Sequence, residues 1–146
     1  MIDPRAVVTE ARSWMGTPFQ HQARVKGVGV DCAGLIIGVA HALAISDFDI
    51  TDYGRIPLPA EMGALLAEHL DPIGQGGLQP GDILWLVVDV DPQHLAIVTA
   101  IMPEITIIHA FAHGGINKVV EHNAGRLWLS KIAGCYRYRG VGLWQA

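Results

Sequence analysis

The chain has 146 residues, 51% of them hydrophobic and only 16% charged, with 10 basic and 14 acidic side chains for a net charge of −4. That length suits one domain, residues 1–146, able to bury a core without staples, and the acidic balance excludes binding to nucleic acid or an anionic membrane through a basic patch. A charged share well below the usual value of about 25% implies a large core or a partly covered surface.

Cys32 and Cys135 stand far apart and form neither a disulfide framework nor a C-x-x-C pair, so no metal or cofactor is expected. The start, Met1-Ile2-Asp3-Pro4-Arg5, lacks a charged-then-apolar leader, and the longest apolar run, 33–45, is too short to span a bilayer. The expected product is made in the cytoplasm without a signal peptide and does not insert in a membrane.

Asp3 followed by Pro4 predicts a helix start, continued by Val7, Val8, Ala11, Trp14 and Met15 at helical spacing and ended at Gly16. Residues 17–31 show no period and predict a long shaped loop, a kind that is often functional. A second helix is expected from about Cys32 to Ile45, apolar nearly all round and therefore buried. Gly34 and Gly38 weaken it, yet they allow another backbone to approach closely. After an irregular 47–59, a third helix begins near Pro59 with Met62, Leu65, Leu66 and Leu70 on one face, stopped by Asp71-Pro72. A glycine-rich linker covers 73–81. The period then changes to that of strands at 83–88, 94–100, 105–110, 119–120 and 132–139, with a short element near Leu127 to Ser130. Helices first and strands second predict an α+β fold, N-terminal helices packed on a mostly antiparallel β-sheet.

Cys32 is the candidate nucleophile. It follows a glycine-loosened loop and an acid, Asp31, at a helix N-terminus, where orphan amides and the peptide dipoles favour negative charge and lower a thiol pKa. A buried inert cysteine is the alternative, and Cys135, alternating with Tyr136 and Tyr138, fits that role better. A thiolate needs a base and a group to orient it. His94 and His109 lie on successive strands. A four-residue loop, Ala100 to Pro103, would set 94 opposite 109, with Cβ atoms roughly 4.5–5.5 Å apart; a slip of one residue would put them on opposite faces. His109 and His113 are four apart on a strand, roughly 13 Å, too far for a chelate. His41 and His69 look structural or solvated. Asp31 suits an N-cap or a substrate contact, and His21 and Gln22 lie where an oxyanion donor could come from. Trp14, Trp85, Trp128 and Trp144 are expected to pack.

Taken in order, Asp31-Cys32-Ala33-Gly34-Leu35, Gln93-His94-Leu95-Ala96-Ile97-Val98 and Ile107-Ile108-His109-Ala110 resemble the NlpC-type cell-wall peptidases. Trp14-Met15-Gly16-Thr17-Pro18-Phe19-Gln20-His21-Gln22, Leu78-Gln79-Pro80-Gly81-Asp82-Ile83 and Ala133-Gly134-Cys135-Tyr136-Arg137-Tyr138 resemble the phage-tail branch of that family, which includes prophage and gene-transfer-agent peptidases. The resemblance implies a papain-like fold and hydrolysis of amide bonds in peptidoglycan stem peptides, usually between γ-D-glutamate and a diamino acid. It implies Cys32 as nucleophile, His94 as general base and His109 as the orienting third residue, with phage-tail proteins as partners and the cell wall as the place of action. Phe19 stands where the family often has tyrosine, which leaves oxyanion support to His21, Gln22 or the Cys32 amide; Ala33 stands where serine is common. Two other readings use the same chain: a tail-assembly protein with little hydrolysis, and an amidase or acyltransferase on the same triad.

Overall fold

The computed structural model describes residues 1–49, 59–88 and 91–145. Helix α1 (Pro4–Arg12) starts as the Asp3-Pro4 pair predicts: the Asp3 carboxylate accepts from the Arg5 amide at 2.9 Å. It ends one turn earlier than the apolar spacing suggests, and residues 13–16 continue as turns up to Gly16, whose φ of +81° suits glycine. The long loop carries a small hairpin, β1 (Arg24–Val25) with β2 (Gly29–Val30). Helix α2 (Cys32–Ala42) follows at once. Helix α3 (Pro59–His69) starts at the expected proline; most of the irregular stretch before it lies outside the described residues.

Asp71-Pro72 does more than stop α3. Leu70–Pro72 forms an edge strand, β3, paired antiparallel with the last strand, β8 (Ile132–Tyr138). Proline is tolerated there because an edge strand has no second ladder to supply. With β4 (Ile83–Val88), β5 (Asp91–Ala100), β6 (Thr106–His113) and β7 (Ile116–Asn123), the sheet has the order β3-β8-β4-β5-β6-β7, and its neighbouring strands pair antiparallel. The short element expected near 127–130 is a helix, α4 (Gly125–Leu129).

The sheet has two buried faces. On one, Ile83, Leu95, Ile97, Ile108 and Ala110 pack with Val7 and Ala11 of α1, Leu35 and Val39 of α2 and Met62 and Leu66 of α3. On the other, Leu84, Leu86, Ala96, Val98 and Ile107 pack with Trp128 and Leu129 of α4. The strands accordingly read as continuous apolar runs rather than strict alternations. Burying this surface on both sides of the sheet supplies the main stabilising term, about 25 cal/mol per Å² of apolar area.

The α2 glycines are close-approach positions. A Cβ on Gly34 would lie 2.2 Å from the backbone oxygen of Ala23, and one on Gly38 would lie 2.4 Å from the Trp14 ring. The first is the backbone approach that the sequence suggests; the second is filled by an aromatic ring. At the start of the sheet, buried Asp82 accepts from Arg137 Nε at 2.8 Å and Nη2 at 2.9 Å and from the Gln79 amide at 2.9 Å. This ties Gln79-Pro80-Gly81-Asp82 to β8.

Candidate active site

Cys32 is the first residue of α2, half-buried, with Asp31 as its N-cap. The buried Asp31 carboxylate uses both oxygens: Oδ1 accepts from the Gly34 amide at 2.7 Å and Oδ2 from the Gln22 amide at 2.7 Å. The second bond holds Gln22 at φ 60°, left-handed backbone that a residue with a side chain adopts at a cost. One side chain therefore caps the helix and fastens the upstream loop beside the thiol. Both candidate roles of Asp31 began from this position, and the cap is the one the hydrogen bonds display.

His21 lines the same cavity as Asp31 and Cys32, with Nδ1 3.9 Å from Asp31 Oδ2. Phe19 lines it too, part of an arm whose amide donates to the Asn117 carbonyl at 2.9 Å. Gln22 reaches the site through its backbone N–H. The cavity, about 130 Å³, runs from Cys32 along the apolar side of α2 to α3.

The histidines come from the sheet. Cys32 Sγ lies 3.9 Å from the backbone oxygen of Gln93, which places the thiol against β5 one residue before His94. Gln93 and Leu95 line the cavity with Cys32, and His94 stands between them on β5. Its ring contacts His109, Phe111 and Trp128 with centroids 4.7, 5.7 and 6.0 Å away. His94 and His109 are both fully buried, and His94 Nε2 is hydrogen-bonded to His109 Nδ1.

The pair therefore meets, but not in the expected register. The ladder pairs Ile97 with Ile108 and Val98 with Ile107, then shifts at a bulge before Ala100–Thr106. Continued toward His94, that register sets it opposite 111 rather than 109. The connecting loop is 101–105, longer than the expected turn. The two histidines still share a face because the difference is two residues, not one. They meet diagonally instead of directly.

His109 is held neutral. Burial first, then the neighbouring His94 and His122, push its pKa down from 6.5 to about 2. The third partner is one that sequence reasoning missed: His122 on β7, whose Nε2 lies 2.8 Å from His109 Nε2 and whose Nδ1 lies 2.8 Å from the Asn123 carbonyl oxygen. Trp128 of α4 was also expected only to pack. Its ring stands 5.0 Å from His109 and 5.7 Å from His122, closing this face of the histidine row. The remaining side chains settle as structural. Cys135 is buried and its thiol pKa is raised by burial and by Asp82. His41 is not without a partner: its Nε2 bonds the Phe48 carbonyl at 2.8 Å. His69 stacks on Phe48. Among the described residues no cluster of three or more His, Cys, Asp or Glu could hold a metal ion.

No protein-family model matches the chain, and no curated protein does. Solved structures do. A protein of the NLP/P60 family similar to a lipoprotein, from Staphylococcus aureus, aligns over 92% of this chain and 41% of its own at 19% identity and a TM-score of 0.62. The NlpC/p60 domain of the peptidoglycan hydrolase SagA aligns over 92% of this chain and 98% of its own at 19% identity and a TM-score of 0.58. NlpC2 from Trichomonas vaginalis aligns over 92% and 45% at 18% identity and a TM-score of 0.67. This chain spans less than half the length of the first and third of these. With helices on an antiparallel sheet, a cysteine opening the central helix and this set of structural neighbours, the chain has the papain-like α+β fold of NlpC/P60 domains.

Proposed function

We propose that the chain is a cysteine peptidase that hydrolyses amide bonds in peptidoglycan stem peptides, with the γ-D-glutamyl–diamino acid bond as its target. The observation that carries this reading is the buried, hydrogen-bonded His94–His109 pair, with the thiol that opens α2 lying against the backbone of Gln93, the residue before His94. In this mechanism His94 takes the proton of Cys32 Sγ, and the thiolate attacks the amide carbonyl. First-turn amides of α2 stabilise the tetrahedral oxyanion. His94 returns the proton to the leaving amine, and water activated by His94 hydrolyses the thioester. His109, neutral and buried, orients the base. The resemblance of the segments around Trp14, Pro80 and Cys135 to phage-tail peptidases supports a place in a phage-tail-like particle, with tail proteins as partners and the cell wall as the site of action. SagA is named a peptidoglycan hydrolase and shares the fold, which supports the same substrate class here.

The experiment is digestion of defined muropeptides by the purified, reduced protein with products identified by mass spectrometry and Cys32→Ala as control. A product pair whose masses sum to that of the substrate plus one water, absent with Cys32→Ala, is expected. Transfer to an added amine would identify an acyltransferase instead. No product from the reduced wild type would leave the structural tail-protein reading in its place.

A further inference from the structure

We propose that His122 is a positioning residue: anchored on the Asn123 carbonyl, it fixes through His109 which ring nitrogen of His94 carries a proton. The proposal rests on Cys32 and His94 being nucleophile and base, and it concerns the row of three imidazoles behind them.

The row has one end whose polarity is not negotiable. A backbone carbonyl only accepts, so at 2.8 Å from the Asn123 oxygen His122 Nδ1 must carry hydrogen. In neutral His122 the other nitrogen, Nε2, is then a bare acceptor. His109 Nε2 sits 2.8 Å from it and must donate. His109 is buried and neutral, so it has a single N–H, and spending it on His122 leaves Nδ1 bare. That nitrogen faces His94 Nε2, which must therefore donate. His94 is left with Nδ1 as the nitrogen available to the thiol: bare when Cys32 is protonated, protonated when the pair is thiolate and imidazolium. Both states of the proton transfer from Sγ to Nδ1 keep every hydrogen bond in the row.

The opposite polarity keeps them in only one of the two states. If His122 carries a second proton, its Nε2 donates, His109 must accept at Nε2 and move its own proton to Nδ1, and His94 must accept at Nε2. His94 then holds its proton on Nδ1. It cannot take another from the thiol without setting two N–H groups against each other in a buried contact. Among the described residues, the rings in contact with His122 are His109 from β6 and Trp128 from α4. Glu121, its neighbour on β7, bonds Arg12 of α1 on the other side of the sheet. A neutral His122 with its Nδ1–H on Asn123 is thus the state that makes His94 a base.

The test has two arms. Nitrogen-15 histidine spectra of the unmodified protein at neutral pH should show His122 protonated at Nδ1 and His109 protonated at Nε2 with Nδ1 bare; His109 protonated at Nδ1 would overturn the proposal. In the second arm, Cys32 alkylation by iodoacetamide is timed in His122→Phe and His122→Gln. Phenylalanine keeps the ring against Trp128 but removes the acceptor, and alkylation at pH 7 should slow by about tenfold or more. The glutamine oxygen reaches where Nε2 was and should restore the rate to within about threefold of wild type. On muropeptide, His122→Phe should lower kcat by about a hundredfold with little change in KM, as a misoriented base does. Alkylation of His122→Phe at the wild-type rate would overturn the proposal. Neither the spectra nor the alkylation needs a substrate. If both come out as stated while muropeptides stay intact, the substrate assignment fails and the role of His122 stands.

Discussion

Replacing His109 with asparagine removes a buried imidazole that the fold keeps uncharged, and the consequence is a specific change in how stability depends on pH. In the unfolded chain this side chain titrates near 6.5, whereas in the folded protein its pKa is pushed down to about 2. Between those values the unfolded state binds a proton that the folded state refuses. The stability gained by refusing it is fully present above about pH 6.5 and is lost as pH falls. The slope is about 1.4 kcal/mol per pH unit for one proton. Going from pH 7 to pH 5 therefore costs the wild type about 2 kcal/mol through His109 alone. The figure does not depend on the exact folded value, since any pKa below about 4 leaves His109 neutral throughout that range. Urea unfolding of wild type and His109→Asn at both pH values gives the answer as a difference of differences, in which the carboxylates and the histidines outside the row cancel. Wild type should lose about 2 kcal/mol more than the variant between pH 7 and pH 5. Equal losses would show that His109 accepts a proton in the folded protein and would refute the account of a neutral orienting residue.

Gly38→Ala should destabilise although alanine is the better helix former. The helix gains about 1 kcal/mol, but the new Cβ lies 2.4 and 2.6 Å from atoms of the buried Trp14 ring, and overpacking of this kind costs about 1–3 kcal/mol. A melting temperature a few degrees lower is expected, and a rise would mean that Trp14 yields freely. Asp82→Asn breaks a carboxylate–guanidinium pair at a fully buried oxygen and should cost about 3 kcal/mol in urea unfolding; a loss below about 1 kcal/mol would make the pair dispensable. Of the two thiols, Cys135 has its pKa raised by burial and by Asp82. Ellman's reagent should therefore titrate one thiol in the native protein and two after denaturation, with Cys32→Ala leaving no fast thiol. Rapid reaction of Cys135 in the folded protein would contradict its packing in the second core.

Local chemistry was the legible part of this chain. Asp3-Pro4 and Asp31-Cys32 each pair a side-chain acceptor with the orphan amides of a helix start, and both caps form. The switch from helical to strand period near residue 83 separated the layers, because it records which faces are buried. Non-local geometry was harder to read. The apolar criterion reduced β7 to Val119-Val120, since an outer strand that carries Asn117, Lys118, Glu121 and His122 does not look like a core strand. Read through to Asn123, the same strand sets His122 opposite Ile107, on the face of His109. That alternation was the available signal for the third histidine. The β5–β6 register failed for a different reason. The bulge between Val98 and Ala100 adds a residue that no composition marks, and loop length alone fixes neither its presence nor its side. Trp128 gives no sign of its role in sequence, because its neighbours come from three strands.

The thiol and the imidazoles belong to different layers. Cys32 rides on α2, which packs through Leu35 and Val39 against Leu95 and Ile97, while His94 and His109 are gripped from behind by Trp128. The gap that the proposed proton transfer would cross is thus a spacing between strata, set by how thick the hydrophobic filling beneath α2 happens to be. Trimming a methyl group there, far from any polar atom, lets the helix settle and retunes the reach of the sulfur. In such an arrangement aliphatic core positions act as adjustment screws for reactivity, and selection on catalytic rate would register at residues that never meet the substrate.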